Sequence, residues 1–194
     1  LVSNILDNSQ PRSEDTLALI ESDIHVEIVT DENIVCPLAV DRIRAAVICA
    51  AGSQGYRRGE LGVRITDDVS IHRINRDHLG HDYPTDVISF DYGSADGMIE
   101  GEMVVSAETA ATRAGELGWT VEDELVLYLV HGTLHIAGLD DLNEADRRHM
   151  RQAERQVMRE LGIETFSRFA PDIETSDIET SDIAIHGAAE EEQA

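Results

Sequence analysis

This chain predicts a mixed α/β (α+β) fold, in which a small mixed β-sheet of about four strands packs with about five helices in a single domain. Three observations carry the prediction. Strand-period and helix-period segments interleave without a strict strand–helix–strand repeat. The length of 194 residues suits one domain. Valine, isoleucine and leucine are plentiful enough for one core, although aromatic residues make up only 4% of the chain.

The elements follow in order. Ile24-His25-Val26-Glu27-Ile28-Val29 alternates apolar and polar residues and is the first strand. Pro37 to about Ala51 is a helix with proline near its first turn, and Leu38, Val40, Ile43, Ala46, Val47 and Ala50 follow helical spacing. Glu60 to Thr66 is a second strand. Asp68 to His78 is a short helix with Val69, Ile71 and Ile74 inward. Asp86 to Tyr92 and Glu100 to Ser106 are strands joined through the turn cluster Gly93-Ser94-Ala95-Asp96-Gly97. Ala107 to Leu117, Val121 to about Ala137, and Glu144 to Leu161 are helices. The expected organisation is a mobile acidic segment over residues 1–22, a globular domain over 23–168, and a disordered tail over 169–194. In that tail Asp-Ile-Glu-Thr-Ser recurs at Asp172 and Asp177, a period that fits neither a helix nor a strand.

Composition narrows the chemistry. The net charge is −24, yet residues 1–33 and 171–194 carry eight acids each, with Arg12 as their one base. The middle of the chain is less acidic but still negative, which predicts weak non-specific affinity for nucleic acid. There is no lysine, so Schiff-base chemistry is excluded and arginine forks are the available phosphate contacts. Cys36 and Cys49 are the only cysteines and suit free thiols in a reducing cytoplasm. No stretch reaches the roughly 20 apolar residues of a membrane span, and the N-terminus lacks a basic-then-apolar signal.

The chemistry concentrates in His131-Gly132-Thr133-Leu134-His135-Ile136-Ala137-Gly138-Leu139-Asp140-Asp141. Histidines four apart lie on one helix face and can reach one ion. The preceding run Leu125 to Val130 is almost wholly apolar, so the helix is buried, and buried imidazoles need partners for their nitrogens. Gly138 can take the left-handed conformation and turn the chain so that Asp140 or Asp141 comes back toward the histidines. Two nitrogens, one carboxylate and an open position form the pattern of a catalytic zinc site. Gly132 occupies the place where the zinc-protease motif His-Glu-x-x-His has its base, which disfavours proteolysis and leaves room beside the metal.

This segment resembles the signature of the YbeY family of bacterial metal-dependent endoribonucleases, His-Gly-x-Leu-His-(apolar)-x-Gly-(aromatic)-Asp-His. Asn75 to Phe90, containing Pro84-Thr85-Asp86-Val87-Ile88-Ser89-Phe90, is similar to the family's Pro-Thr-Asp-Val-Leu-Ser-Phe block. Gly101-Glu102-Met103-Val104-Val105-Ser106 is similar to its Gly-Asp-Ile-(apolar)-(apolar)-Ser strand. The likeness spans about Ile24 to Gly162 and keeps the family's order.

The resemblance implies a single-strand-specific endoribonuclease of ribosomal RNA maturation in the cytoplasm. Its substrate would be an rRNA precursor, its partner the small ribosomal subunit, with no role for DNA or membrane. It implies one Zn2+ per chain held by His131, His135 and Asp141, the histidines acting in catalysis through the metal. Asp140 would orient a histidine N–H. The alternative is a ribosome-assembly binding factor with a structural zinc.

The chain departs from the family pattern at three positions. Asp141 stands where the family has its third histidine, which makes the ion a weaker Lewis acid and widens metal tolerance. Leu139 replaces the aromatic residue of the turn. Leu79 stands where many members carry an arginine associated with RNA cleavage.

Other residues have plainer readings. Arg73 and Arg76, just before the Thr85–Phe90 strand, are the RNA-contact candidates. Arg147, Arg151, Arg155 and Arg159 recur every four residues and suit a solvated face, braced by Glu144 and by Arg151 with Glu154. His78, His81 and Ser89 suit ordinary loop and strand roles. Thr85 and Asp86 suit a capped turn. His149 is a rival ligand expected on an outer helix face.

Overall fold

The computed structural model describes residues 22–94 and 96–164. The acidic N-terminal segment and the repetitive tail lie outside the described residues. Four strands, β1 (Asp23–Thr30), β2 (Arg58–Thr66), β3 (Val87–Asp91) and β4 (Met98–Ser106), form one sheet in the order β1-β2-β4-β3. β1, β2 and β4 run parallel, and β3 is the antiparallel edge beside β4. Five helices accompany it: α1 (Val40–Ser53), α2 (Asp68–Ile74), α3 (Ala107–Leu117), α4 (Val121–Ile136) and α5 (Glu144–Glu160). This is the mixed single-domain α/β architecture expected from the sequence.

The register puts one apolar face inward. Val26 pairs with Leu61, Leu61 with Gly101, Val63 with Met103, and Ile65 with Val105. A one-residue slip would turn all of them to water, so burial specifies the pairing. α1, α4 and α5 pack together on this face. The other face carries a smaller cluster in which Ile71 of α2 covers Ile88 and Val104.

α4 is the central element. Every residue from Glu124 to Val130 is buried, as are Gly132, Thr133, Leu134 and Ile136. It approaches the sheet closely because two glycines face the contact. A Cβ on Gly132 would lie 2.9 Å from Val87 Cγ2 and 3.1 Å from Ser89 Oγ. A Cβ on Gly101 would lie 2.7 Å from Ile136 Cγ2. The space at Gly132 is therefore filled by strand side chains and does not open beside the metal site.

Helix starts follow side-chain capping. Asp67, Ser106, Thr120 and Asn143 each accept from the backbone N–H three residues on. α1 starts later than expected. Ala39 is its extended N-cap, so Pro37 and Leu38 precede the helix, and Val40 is exposed. Val69 is also exposed, because α2 is a short segment whose buried residue is Ile71. Beyond Ile74 the chain widens into a π turn, Asn75–Leu79, which ends at left-handed Gly80.

Candidate metal centre

α4 ends where its hydrogen bonds are recaptured in a Schellman pattern. Leu139 N–H bonds to Leu134 O at 3.0 Å, with Gly138 at φ 93°. This turn carries Asp141 back over the last turn of the helix. Arg147 Nη1 pins the returning loop by donating to the carbonyls of Asp141 and Leu142, at 3.2 and 3.0 Å. Asn143 then starts α5, which lies against α4 and presents Arg151 and Glu154 toward His131.

His131 and His135 face each other edge to face, with Nε2 atoms 3.0 Å apart. The carboxylate of Asp141 lies 4.0 Å from His131 Nε2 and 3.9 Å from His135 Nε2. Each outer nitrogen is engaged. His135 Nδ1 meets Leu139 O at 3.0 Å, and His131 Nδ1 meets Glu154 Oε1 at 2.6 Å. A carbonyl can only accept, so His135 carries its proton on Nδ1. Ionised Glu154 also only accepts, so His131 donates from Nδ1.

In the neutral rings both Nε2 lone pairs then point into the same space. Such facing lone pairs repel unless a proton or a cation lies between them. Two nitrogens at zinc-bond length in a tetrahedral site stand about 3.3 Å apart, close to the separation here. The half-exposed Asp141 needs only a small movement to complete the set. Among the described residues, His131, His135 and Asp141 are the group of three whose ligand atoms lie within 4.8 Å of one another. The donor set therefore fits a divalent metal ion.

The electrostatics agree with that fit. Burial, then the neighbouring His131, lowers the pKa of His135 and keeps its imidazole neutral. Glu154 is fully buried. Burial alone would raise its pKa, but the hydrogen bond from His131, with the charge and hydrogen bond of Arg151, holds it below the ordinary carboxylate value. Arg151 Nη1 donates to Glu154 Oε2 at 3.0 Å.

The centre opens into a cleft of about 750 Å3 bounded by the Asn75–Asp86 segment, β3, α4 and α5. Asn75 is buried and its Nδ2 donates to Tyr83 O at 2.8 Å, which holds the loop around His81, itself stacked on Tyr83. Asp86 accepts from Thr85 Oγ1 and Val87 N, fixing the turn into β3. Ser89 lines the cleft and donates to Gly132 O at 3.1 Å.

Several sequence candidates fall elsewhere. Asp140 bonds to the backbone N–H of Asp141 and hydrogen-bonds to neither histidine; Glu154 holds His131 instead. Arg73 and Arg76 are exposed and do not line the cleft, and Arg76 pairs with Asp77. His78 packs its ring against Phe90, away from the metal centre, and His149 is exposed. Arg148 pairs with Glu144 and Arg151 with Glu154, the expected braces, but Arg151 also lines the cleft. Glu154 and Arg151, read from the sequence as a brace on a solvated face, belong instead to the site. A signal for Glu154 was present, since it falls among Met150, Ala153, Val157 and Met158 on the buried stripe of α5. An acid on an apolar stripe must have a partner.

Residues 20–162 match the family described as Endoribonuclease YbeY. The Endoribonuclease YbeY of Rhodopirellula baltica is 53% identical over 121 residues, spanning 61% of this chain and 62% of that protein's own length. That of Geobacter sulfurreducens is 41% identical over 128 residues, spanning 62% of this chain and 85% of the relative. The solution structure of TM1509 from Thermotoga maritima is similar with a TM-score of 0.52 at 19% identity, covering 76% of this chain and 93% of that one. At that identity the likeness concerns the fold.

Proposed function

The chain belongs to the Endoribonuclease YbeY family, and we propose that it is a metal-dependent endoribonuclease that cleaves single-stranded segments of ribosomal RNA precursors. His131, His135 and Asp141 hold one Zn2+. Two imidazoles and a carboxylate with an open position suit zinc, while the carboxylate extends tolerance toward harder divalent ions. When bound, the ion supplies Lewis acidity toward a phosphate oxygen and polarises a water placed against it.

The protein's own part is positioning. Glu154 and the Leu139 carbonyl fix both imidazoles as Nδ1–H tautomers, which turns their Nε2 lone pairs inward. The Schellman turn and Arg147 hold Asp141 within reach. The observation that carries the reading is the pair of inward Nε2 atoms 3.0 Å apart beside a carboxylate.

The histidines are recessed at the cleft floor, with side chains 19% and 27% exposed. A flexible single strand can bend a phosphate into such a recess, whereas a stiff duplex keeps its backbone outside. The domain is assigned to residues 23–168, of which 23–94 and 96–164 are described. The partners are the rRNA precursor and the small ribosomal subunit, and the compartment is the cytoplasm, where that substrate resides. Among the described residues no helix is long and apolar enough to cross a membrane.

Elemental analysis of the purified chain, paired with cleavage of a single-stranded and a duplexed rRNA-precursor fragment with and without chelator, tests this function. One zinc per chain and chelator-sensitive cutting of the single strand are expected. A fully metal-loaded chain that leaves both fragments intact would refute it.

A further inference from the structure

We propose that Arg151 is the phosphate contact of this cleft, its guanidinium receiving non-bridging oxygens of the RNA phosphate seated beside the metal centre; this rests on the endoribonuclease reading. Arg151 is the only lysine or arginine lining the cleft among the described residues, where it stands among Asp86, Asp91, Asp141 and Glu154. A polyanion entering that acidic cleft meets one fixed cation from the protein.

The guanidinium is built into place. Its Nη1 bonds to Glu154 Oε2 at 3.0 Å, and the other oxygen of the same buried carboxylate holds His131 Nδ1 at 2.6 Å. One carboxylate therefore ties the arginine and a metal-binding histidine into a rigid chain. The side chain of Arg151 is 35% exposed and lines the cleft while it is held on Glu154. An arginine carries five N–H donors in a planar fork, enough to bind a carboxylate on one side and a phosphate on another. Holding the fork on a buried anchor means that little side-chain entropy remains to be lost when RNA binds.

The neighbouring arginines are placed for other tasks. Arg147 is committed to the carbonyls of Asp141 and Leu142, and Arg148 pairs with Glu144 at the surface. Arg73 and Arg76 lie off the cleft wall. Arg151 breaks and makes no covalent bond in this role. It offsets phosphate charge and fixes the phosphate relative to the histidines.

The test compares the zinc-loaded full chain with Arg151→Gln and Arg151→Lys, using a short single-stranded oligoribonucleotide. Binding is measured across a salt series, together with cleavage, zinc content and melting temperature. Losing one phosphate contact should lower the magnitude of the salt slope by about 0.7 in Arg151→Gln. Cleavage should fall about 100-fold, the scale of one removed charge-stabilising donor. Arg151→Lys keeps the charge and should retain the salt slope while cutting more slowly than wild type.

A purely structural Arg151 would instead lower the melting temperature or zinc content and leave the salt slope unchanged, and that result overturns the proposal. The two readings fail separately. If wild type cleaves and Arg151→Gln cleaves equally fast with the same slope, the phosphate contact is wrong and the endoribonuclease reading stands. If loaded wild type cleaves nothing but the slope still changes in Arg151→Gln, the nuclease reading is wrong and the contact stands.

Discussion

Replacing Glu154 by glutamine should weaken metal binding about tenfold or more, the range found when a partner outside the ligand set is removed. The change preserves shape and leaves no cavity, so the effect isolates charge and donor count. Glu154 receives two donors on its two oxygens, His131 Nδ1 at 2.6 Å and Arg151 Nη1 at 3.0 Å. A glutamine offers one acceptor oxygen, so one of those donors must face its NH2 group. If His131 is the loser, its ring is free to rotate or to move its proton to Nε2, which removes the lone pair that the metal needs. If Arg151 is the loser, the bond to His131 drops from charge-assisted to neutral strength.

Hydrogen bonds to charged groups are worth about 1.5–3 kcal/mol against about 1 for neutral ones. Relief from burying a carboxylate offsets part of that loss. A net destabilisation of about 1–2 kcal/mol is expected for the metal-free protein. Zinc affinity is read by competition against a chelating dye, and stability by denaturant unfolding in chelator. An affinity within twofold of wild type would show that His131 is oriented without Glu154, and the reasoning would fail.

Four further outcomes follow from the same geometry. His131→Ala and His135→Ala should each lose the metal, and a full equivalent bound by either in elemental analysis would remove that residue from the site. Asp141→His should keep or raise zinc affinity by restoring a neutral nitrogen donor; a large drop in the dye competition would contradict its place as third ligand. Gly132→Val should destabilise the fold by about 2–3 kcal/mol through overpacking against Val87, Ser89 and Met103, and an unchanged unfolding midpoint would show that the contact is slack.

The last outcome concerns pH. Burial, then His131, depresses the pKa of His135 below its ordinary value of 6.5. Below that value the unfolded chain binds a proton that the folded chain refuses. The contribution is therefore present above pH 6.5 and is lost as pH falls through the depressed folded value. Chelator-treated protein should show it as a falling urea midpoint on acidification, and a midpoint that rises instead would reverse the assignment.

Much of this architecture was legible because it depends on short-range rules. The alternation of Ile24 to Val29 and the helical spacing around Ile43, Ala46 and Val47 are local patterns, and both elements formed. The left-handed turn at Gly138 followed from chain stereochemistry alone. What was not legible depended on which face of an element meets a neighbour. Gly132 suggested open space beside a metal. One residue along a helix turns about 100°, so Gly132 points to β3 while His131 points to the cleft. Arg151 and Glu154 looked like a surface brace, since their spacing is the same whether the pair is solvated or buried. Only the docking of α5 against α4 shows that Glu154 is enclosed and reaches His131. Asp140 looked equivalent to Asp141 as a nearby acid, yet it bonds its own backbone turn.

The charge of the chain poses a problem that the site itself resolves. A net charge of −24 repels RNA at long range, and salt screens that repulsion beyond about 8–10 Å. Binding must then be decided locally. Around the centre, Asp141 and Glu154 bring two negative charges and Arg151 one positive charge. With Asp86 and Asp91 on the same lining, the protein's own cleft is acidic, and a divalent ion at the centre offsets two of those negative charges. On the proposed function, RNA affinity should then depend on metal loading, a coupling that a basic nuclease surface would mask. It also gives the buried Glu154 a use despite its desolvation cost: it anchors Arg151, the one arginine lining the cleft among the described residues, and the His131 donor on the same carboxylate. On the proposed reading, such an arrangement trades broad attraction for one charged contact at the phosphate. Raising salt should then weaken binding with a shallow slope, because few phosphates are contacted, whereas removing the metal should abolish binding at any salt.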